Sequence, residues 1–121
     1  VMNRNLTVEE ALIRAVKTND IRTIIASLEL FNHIKDWSLL SKLAEKENLE
    51  RKIGALYDAA RTVIKVRRID KRIRDKLLRS KVEDKFIIPN IKSKNLKEIE
   101  NTWNVYLPFN RADLEMYKEW S

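Results

Sequence analysis

DWSLLSKLAEKENLERKIGALY, Asp36 to Tyr57, reads as two helices written end to end. Leu39, Leu40, Leu43 and Ala44 recur at helical steps behind Asp36, a residue suited to cap a helix start. Asn48 then supplies a stop, because asparagine tolerates the left-handed backbone that closes a helix. A second stripe starts near Leu49 and runs through Ile53, Leu56, Tyr57, Ala60 and Val63. Gly54 lies inside that stripe. Glycine in a helix interior costs about 1 kcal/mol against alanine, so another helix is expected to pass close by.

Toward the N-terminus the same grammar repeats. Thr7-Val8-Glu9-Glu10 has the spacing of a capping box, with Thr7 as cap and Glu10 three residues on. The helix it opens runs to about Thr18, with Ala11, Leu12, Ala15 and Val16 on one face. Asn19-Asp20 breaks it, and Asp20 is placed to cap a second helix whose stripe is Ile21, Ile24, Ile25, Leu28 and Phe31. The chain of 121 residues holds one glycine and two prolines. That leaves few tight turns and argues against a sheet-rich fold.

Toward the C-terminus the pattern first continues and then changes. Val63, Val66, Ile69, Ile73 and Leu77 keep three- and four-residue steps, which suits either one helix from Leu49 to Ser80 or two with a break near Val66. Pro89 then excludes a helix interior at Phe86–Ile91, and Pro108 does the same at Val105–Phe109, so both stretches are expected to be extended. Between them Asn95 is placed to cap a short helix ending near Trp103-Asn104. After them Asn110 is placed to cap a last helix carrying Leu114, Tyr117 and Trp120. The fold expected is all-α, an irregular or orthogonal bundle of five to seven helices with two short extended segments. It forms a single domain over 1–121, with a helical core at 7–81 and the extended segment and short helices at 82–121.

Charge is distributed unevenly along this chain. The formal net charge is +7, yet Arg61–Lys81 alone holds ten Lys/Arg against two acids, and the remainder holds fifteen against sixteen. A localised positive field attracts a polyanion far better than a dispersed one. Read as one helix, the segment puts Arg61, Lys65, Arg68, Arg72 and Arg79 opposite its apolar stripe. The nucleic-acid or acidic-partner contacts expected are Arg61, Lys65, Arg67, Arg68, Lys71, Arg72 and Arg79. The competing reading is a solvated face laced with ion pairs, Asp70 to Arg74 and Asp75 to Lys71 and Arg79. The apolar stripe is narrow and lacks Trp or Phe, which ranks an anionic membrane surface below either.

Other chemistry is thinly represented. There is no cysteine, so disulfides, thiolate metal sites and cysteine nucleophiles are excluded. A single glycine excludes phosphate-binding glycine loops. His33 is the only histidine and has no other metal ligand spaced around it; it reads as a helix-terminal cation rather than an acid–base catalyst. Glu9-Glu10, Glu45/Glu47 and Glu98/Glu100 could offer carboxylates to a metal but specify no ligand set. Catalytic residues, metal and cofactor are therefore all expected to be none. Trp103, Tyr106, Phe109, Tyr117 and Trp120 crowd the C-terminal region, where they read as anchors of an irregular tail, as a protein interface, or as platforms for base stacking.

Charged residues are 36%, glutamine is absent and loops are short, a thermophile signature. No run approaches a membrane span, and Val1–Asn5 lacks a signal peptide's apolar core, so a cytoplasmic location is expected. The stretch Asp36–Tyr57, a helix, an Asn-Leu-Glu junction and a second helix with one glycine, resembles the middle of small archaeal all-helical proteins encoded beside nucleotidyltransferases, in toxin–antitoxin-type pairs. The resemblance implies a non-enzymatic partner-binding or regulatory role, with nucleic acid as a second ligand. The alternative is a protein interaction module, homodimeric or partner-binding, with no nucleic-acid role.

Overall fold

Side-chain caps open three of the helices, at Thr7, Asp36 and Asp70, in the computed structural model, which describes residues 6–120, with side chains described as far as Met116. Seven α-helices are present among the described residues: α1 (Val8–Val16), α2 (Ile21–Ser27), α3 (Trp37–Glu47), α4 (Glu50–Arg61), α5 (Lys71–Leu78), α6 (Lys97–Trp103) and α7 (Arg111–Trp120). No strand occurs among them, and the chain is all-α in class. Thr7 closes its capping box: Glu10 N–H donates to Thr7 Oγ1 at 3.1 Å and Thr7 N–H donates to Glu10 Oε1 at 3.2 Å. Asp36 caps α3 by accepting from Leu39 N–H at 3.0 Å. Asn48 ends α3 at φ 58°, in the left-handed region. Asn19, Asn90 and Asn104 also adopt positive φ, so asparagine does in this chain what glycine commonly does at helix ends.

Three boundaries differ from the sequence expectation. The helix from Ile21 tightens after Ser27 into a 3-10 helix, Leu28–His33. Ser27 Oγ–H donates back to Ile24 C=O at 2.6 Å, and the tighter winding still buries Leu28 and Phe31. Asp20 holds the cap position of α2 but makes no side-chain bond to its backbone; its carboxylate instead accepts from Thr23 Oγ–H at 2.5 Å. Asn95 does not cap α6, because Leu96 occupies that position. The Leu96 N–H donates to Ser93 Oγ at 3.0 Å, while Asn95 Oδ1 accepts from Arg111 N–H at 2.8 Å and Asn110 Oδ1 accepts from Lys94 N–H at 2.6 Å. The two asparagines thus tie the start of α6 to the start of α7.

The core gathers on α4. Ile53, Ala55, Leu56, Tyr57, Ala59 and Ala60 are all buried, so this helix is covered on nearly every side. It packs against α3, α5, α6 and the 3-10 helix, and α1 packs against α2, α3 and the 3-10 helix. One contiguous apolar cluster draws on all seven helices. Phe31, Trp37 and Tyr57 form its aromatic corner, with ring centroids 5.5–6.2 Å apart. Gly54 faces the ring of Trp103, where an added Cβ would stand 2.2–2.5 Å from the ring carbons. Trp103, on α6, is thus the close neighbour that the glycine signals.

Between α5 and α6 no further α-helix intervenes. Phe86 forms an isolated parallel bridge with Tyr106, and the two rings pack with centroids 4.8 Å apart. Two buried carboxylates hold loop backbone in place. Glu9 Oε2 accepts from Lys35 and Asp36 N–H at 2.9 and 3.1 Å. Glu100 Oε2 accepts from Ser93 and Leu107 N–H at 3.0 and 2.8 Å. Such charge-assisted bonds give these acids a structural task.

Candidate nucleic-acid interface

The cationic stretch is not one helix. Residue Arg61 ends α4, residues 62–70 form an irregular connection, and α5 covers only Lys71–Leu78. The break has a local cause. Thr62-Val63-Ile64 is a β-branched run, poor in a helix, and Thr62 Oγ–H donates to Ala59 C=O at 2.7 Å as the helix ends. Asp70 then opens α5 by accepting from Arg72 N–H at 2.8 Å. The Asp70–Arg74 pair expected from four-residue spacing does not form, since the Arg74 guanidinium turns to Asp58 instead.

Tyr57 pins the connection from beneath. Its hydroxyl donates to Arg67 C=O at 2.9 Å and accepts from Ile69 N–H at 2.7 Å. Val66 and Ile69 are buried on either side of that clamp. With those two side chains turned inward, Lys65, Arg67 and Arg68 turn outward, and Lys71 and Arg72 extend the exposed run into α5.

Acids elsewhere in the fold take two of the ten bases. Arg74 makes a two-pronged pair with Asp58 on α4, at 2.8 and 2.9 Å. Its guanidinium lies 5.0 Å from the Trp103 ring centroid, and Trp103 Nε1–H donates to the same carboxylate at 2.8 Å. The hydrogen bonds to Asp58 hold Arg74 protonated further above its already high pKa. Lys76 pairs with Glu45 on α3 at 3.1 Å. Both are fastenings between helices. All seven residues singled out from sequence are exposed: Arg61, Lys65, Arg67, Arg68, Lys71, Arg72 and Arg79. Among the described residues none of the seven forms an ion pair with an acid, so the pairing of Asp75 with Lys71 and Arg79 does not form either. Arg61 lies 5.8 Å from the Tyr57 ring centroid, which orients it at one end of the set.

The aromatic candidates separate in the same way. Trp103 is fully buried and Phe109 is 2% exposed, so both belong to the core and neither offers a surface to a partner. Tyr106 is half-buried, with Phe86 against its ring and the Lys92 ammonium 4.6 Å from its centroid. The side chains of Tyr117 and Trp120 lie outside the described residues. His33 is exposed at the end of the 3-10 helix. Among the described residues no group of three His, Asp or Glu side chains comes together that could hold a metal ion, and no helix is long and apolar enough to cross a membrane.

Three cations outside the basic segment share a groove of about 390 Å³ with Thr62: Lys94, Lys97 and Arg111. Lys94 and Lys97 are near neighbours in the chain, and the fold brings Arg111 to them from the start of α7. No family model, curated protein or solved structure matches this chain.

Proposed function

We propose that this chain is a non-enzymatic regulatory or adaptor protein that holds nucleic acid by its backbone. The observation that carries the reading is the division of the basic segment. Arg74 and Lys76 are engaged by Asp58 and Glu45, while the other eight cations of the segment, the seven named above and Lys81, are exposed and form no ion pair among the described residues. Unmatched like charges gathered in one stretch repel one another and add nothing to stability, so their gathering favours a ligand of opposite charge. Unmatched, clustered Arg and Lys suit phosphate oxygens and release the counterions condensed along a polyanion. Backbone contact of this kind is insensitive to sequence and steeply sensitive to salt. A place in a toxin–antitoxin-type pair, implied by the resemblance of Asp36–Tyr57, is compatible with such a role.

The test is a titration of DNA and RNA at several salt concentrations, with Arg68→Glu/Arg72→Glu/Arg79→Glu as control. Wild-type protein is expected to bind with a slope of log K against log salt of about −0.7 to −0.9 per phosphate contacted. The variant is expected to lose binding while circular dichroism retains the helical signal, since all three side chains are exposed. Wild-type protein that binds neither nucleic acid at low salt sinks the reading and favours an acidic protein partner or self-association, which light scattering detects.

A further inference from the structure

The exposed cations do not stop at Arg79 or at Arg61. A groove of about 330 Å³ is lined by Arg61, Thr62 and Glu98 together with Asp58, whose charge Arg74 already answers. Thr62, Glu98 and Ile99 also line the neighbouring groove that contains Lys94, Lys97 and Arg111. The two depressions therefore adjoin, sharing Thr62, Glu98 and Ile99 as a common wall, and the second carries three exposed cations against one exposed acid, Glu98. Asn95 fixes the relation between its walls, because its side chain accepts from the backbone of Arg111 on the other wall.

We infer that a single strand of nucleic acid leaves the Arg61–Arg79 face past Thr62 and runs on into this groove, where Lys94, Lys97 and Arg111 hold further phosphates. The inference rests on the reading proposed above and gives it a substrate class. A cationic groove of about 390 Å³ suits one flexible backbone with charge along its length. A single strand can bend to follow both surfaces; a duplex is stiff over about 150 base pairs and would meet the face alone. Glu98 stands at the junction as an unfavourable charge beside the path. Its presence gives the inference a sign that a merely structural groove would not share.

The experiment compares wild-type protein, Lys94→Ala/Lys97→Ala/Arg111→Ala and Glu98→Gln on a labelled single-stranded oligonucleotide and on its duplex, each across a salt series. The triple variant is expected to show a salt slope shallower by about 2 on the single strand, from about 0.7 for each phosphate no longer held, and an unchanged slope on the duplex. Glu98→Gln, which keeps the side chain's length in the first turn of α6, is expected to bind the single strand about two- to five-fold more tightly, the range an exposed charge pair supports. An unchanged slope in the triple variant, or unchanged affinity in Glu98→Gln, overturns the inference while leaving the Arg61–Arg79 face intact. A duplex whose slope falls by the same increment overturns the choice of a single strand. Wild-type protein that binds neither probe removes both the inference and the reading beneath it.

Discussion

At the residue scale, two positions state their reasons in geometry. Gly54 is required because the Trp103 ring occupies the place of a side chain. Gly54→Ala gains helix propensity of about 1 kcal/mol, yet it forces a rigid, fully buried ring to move. The net expectation is a destabilisation of about 1–3 kcal/mol in urea denaturation. Pairing it with Trp103→Leu should abolish that penalty, and a double-mutant cycle measures the coupling. Asp20 is the second. Its carboxyl lies below the usual 3.8 chiefly because Thr23 Oγ–H donates to it. A depressed carboxyl contributes stability above its unfolded pKa and loses that contribution as pH falls through the folded value. Thr23→Val should therefore raise the Asp20 pKa toward 3.8 in an NMR titration, so that the carboxylate takes up its proton at higher pH. Asp20 is exposed, so the effect on unfolding is small.

At the scale of elements, the decisive feature is the connection between α4 and α5. Its two ends are readable as composition: a β-branched run at Thr62-Val63-Ile64 and an acceptor at Asp70. Periodicity points the other way, because Val63, Val66, Ile69 and Ile73 keep helical spacing even where no helix exists. The spacing survives because burial of Val66 and Ile69 around the Tyr57 hydroxyl copies it. Tyr57→Phe removes the donor to Arg67 and the acceptor for Ile69 while leaving the ring in place. Leaving the buried Ile69 N–H without its acceptor costs about 1–3 kcal/mol. Hydrogen exchange should show protection disappearing first at Ile69, with α1 and α3 amides unaffected; uniform deprotection would mean that the hydroxyl supports the whole core and not this connection. Helix ends are more legible than helix continuity, since Thr7, Asp36 and Asn48 act through near neighbours in the chain. Asn95 and Asn110 escape such local reading for the opposite reason: the side chain of each accepts from backbone sixteen positions away.

At the scale of the whole molecule, the charge of +7 is concentrated in one stretch of the chain and left largely unmatched there. A ligand that binds only the folded state stabilises it by mass action. Short polyanions, heparin or oligonucleotide, should therefore raise Tm at low ionic strength, and about 0.5 M salt should erase the increment as screening contracts to a few ångströms. Arg68→Glu/Arg72→Glu/Arg79→Glu should show no increment at any salt. A polyanion that leaves the wild-type Tm unchanged would mean that the exposed cations have no anionic ligand of this kind.

The amino-acid sequence by itself determined the helical class, the caps at Thr7 and Asp36, the stop at Asn48, the close approach at Gly54 and the gathering of cations in Arg61–Lys81. All of these follow from composition or from interactions a few residues long. Only the tertiary structure decided that α4 and α5 are separate, that Arg74 and Lys76 serve Asp58 and Glu45 while the other eight cations of the segment stay exposed, that Trp103 and Phe109 are core, and that Lys94, Lys97 and Arg111 meet in one groove. Each of those outcomes depends on which distant groups the fold brings within hydrogen-bond or packing range, and no local pattern of residues carries that distance.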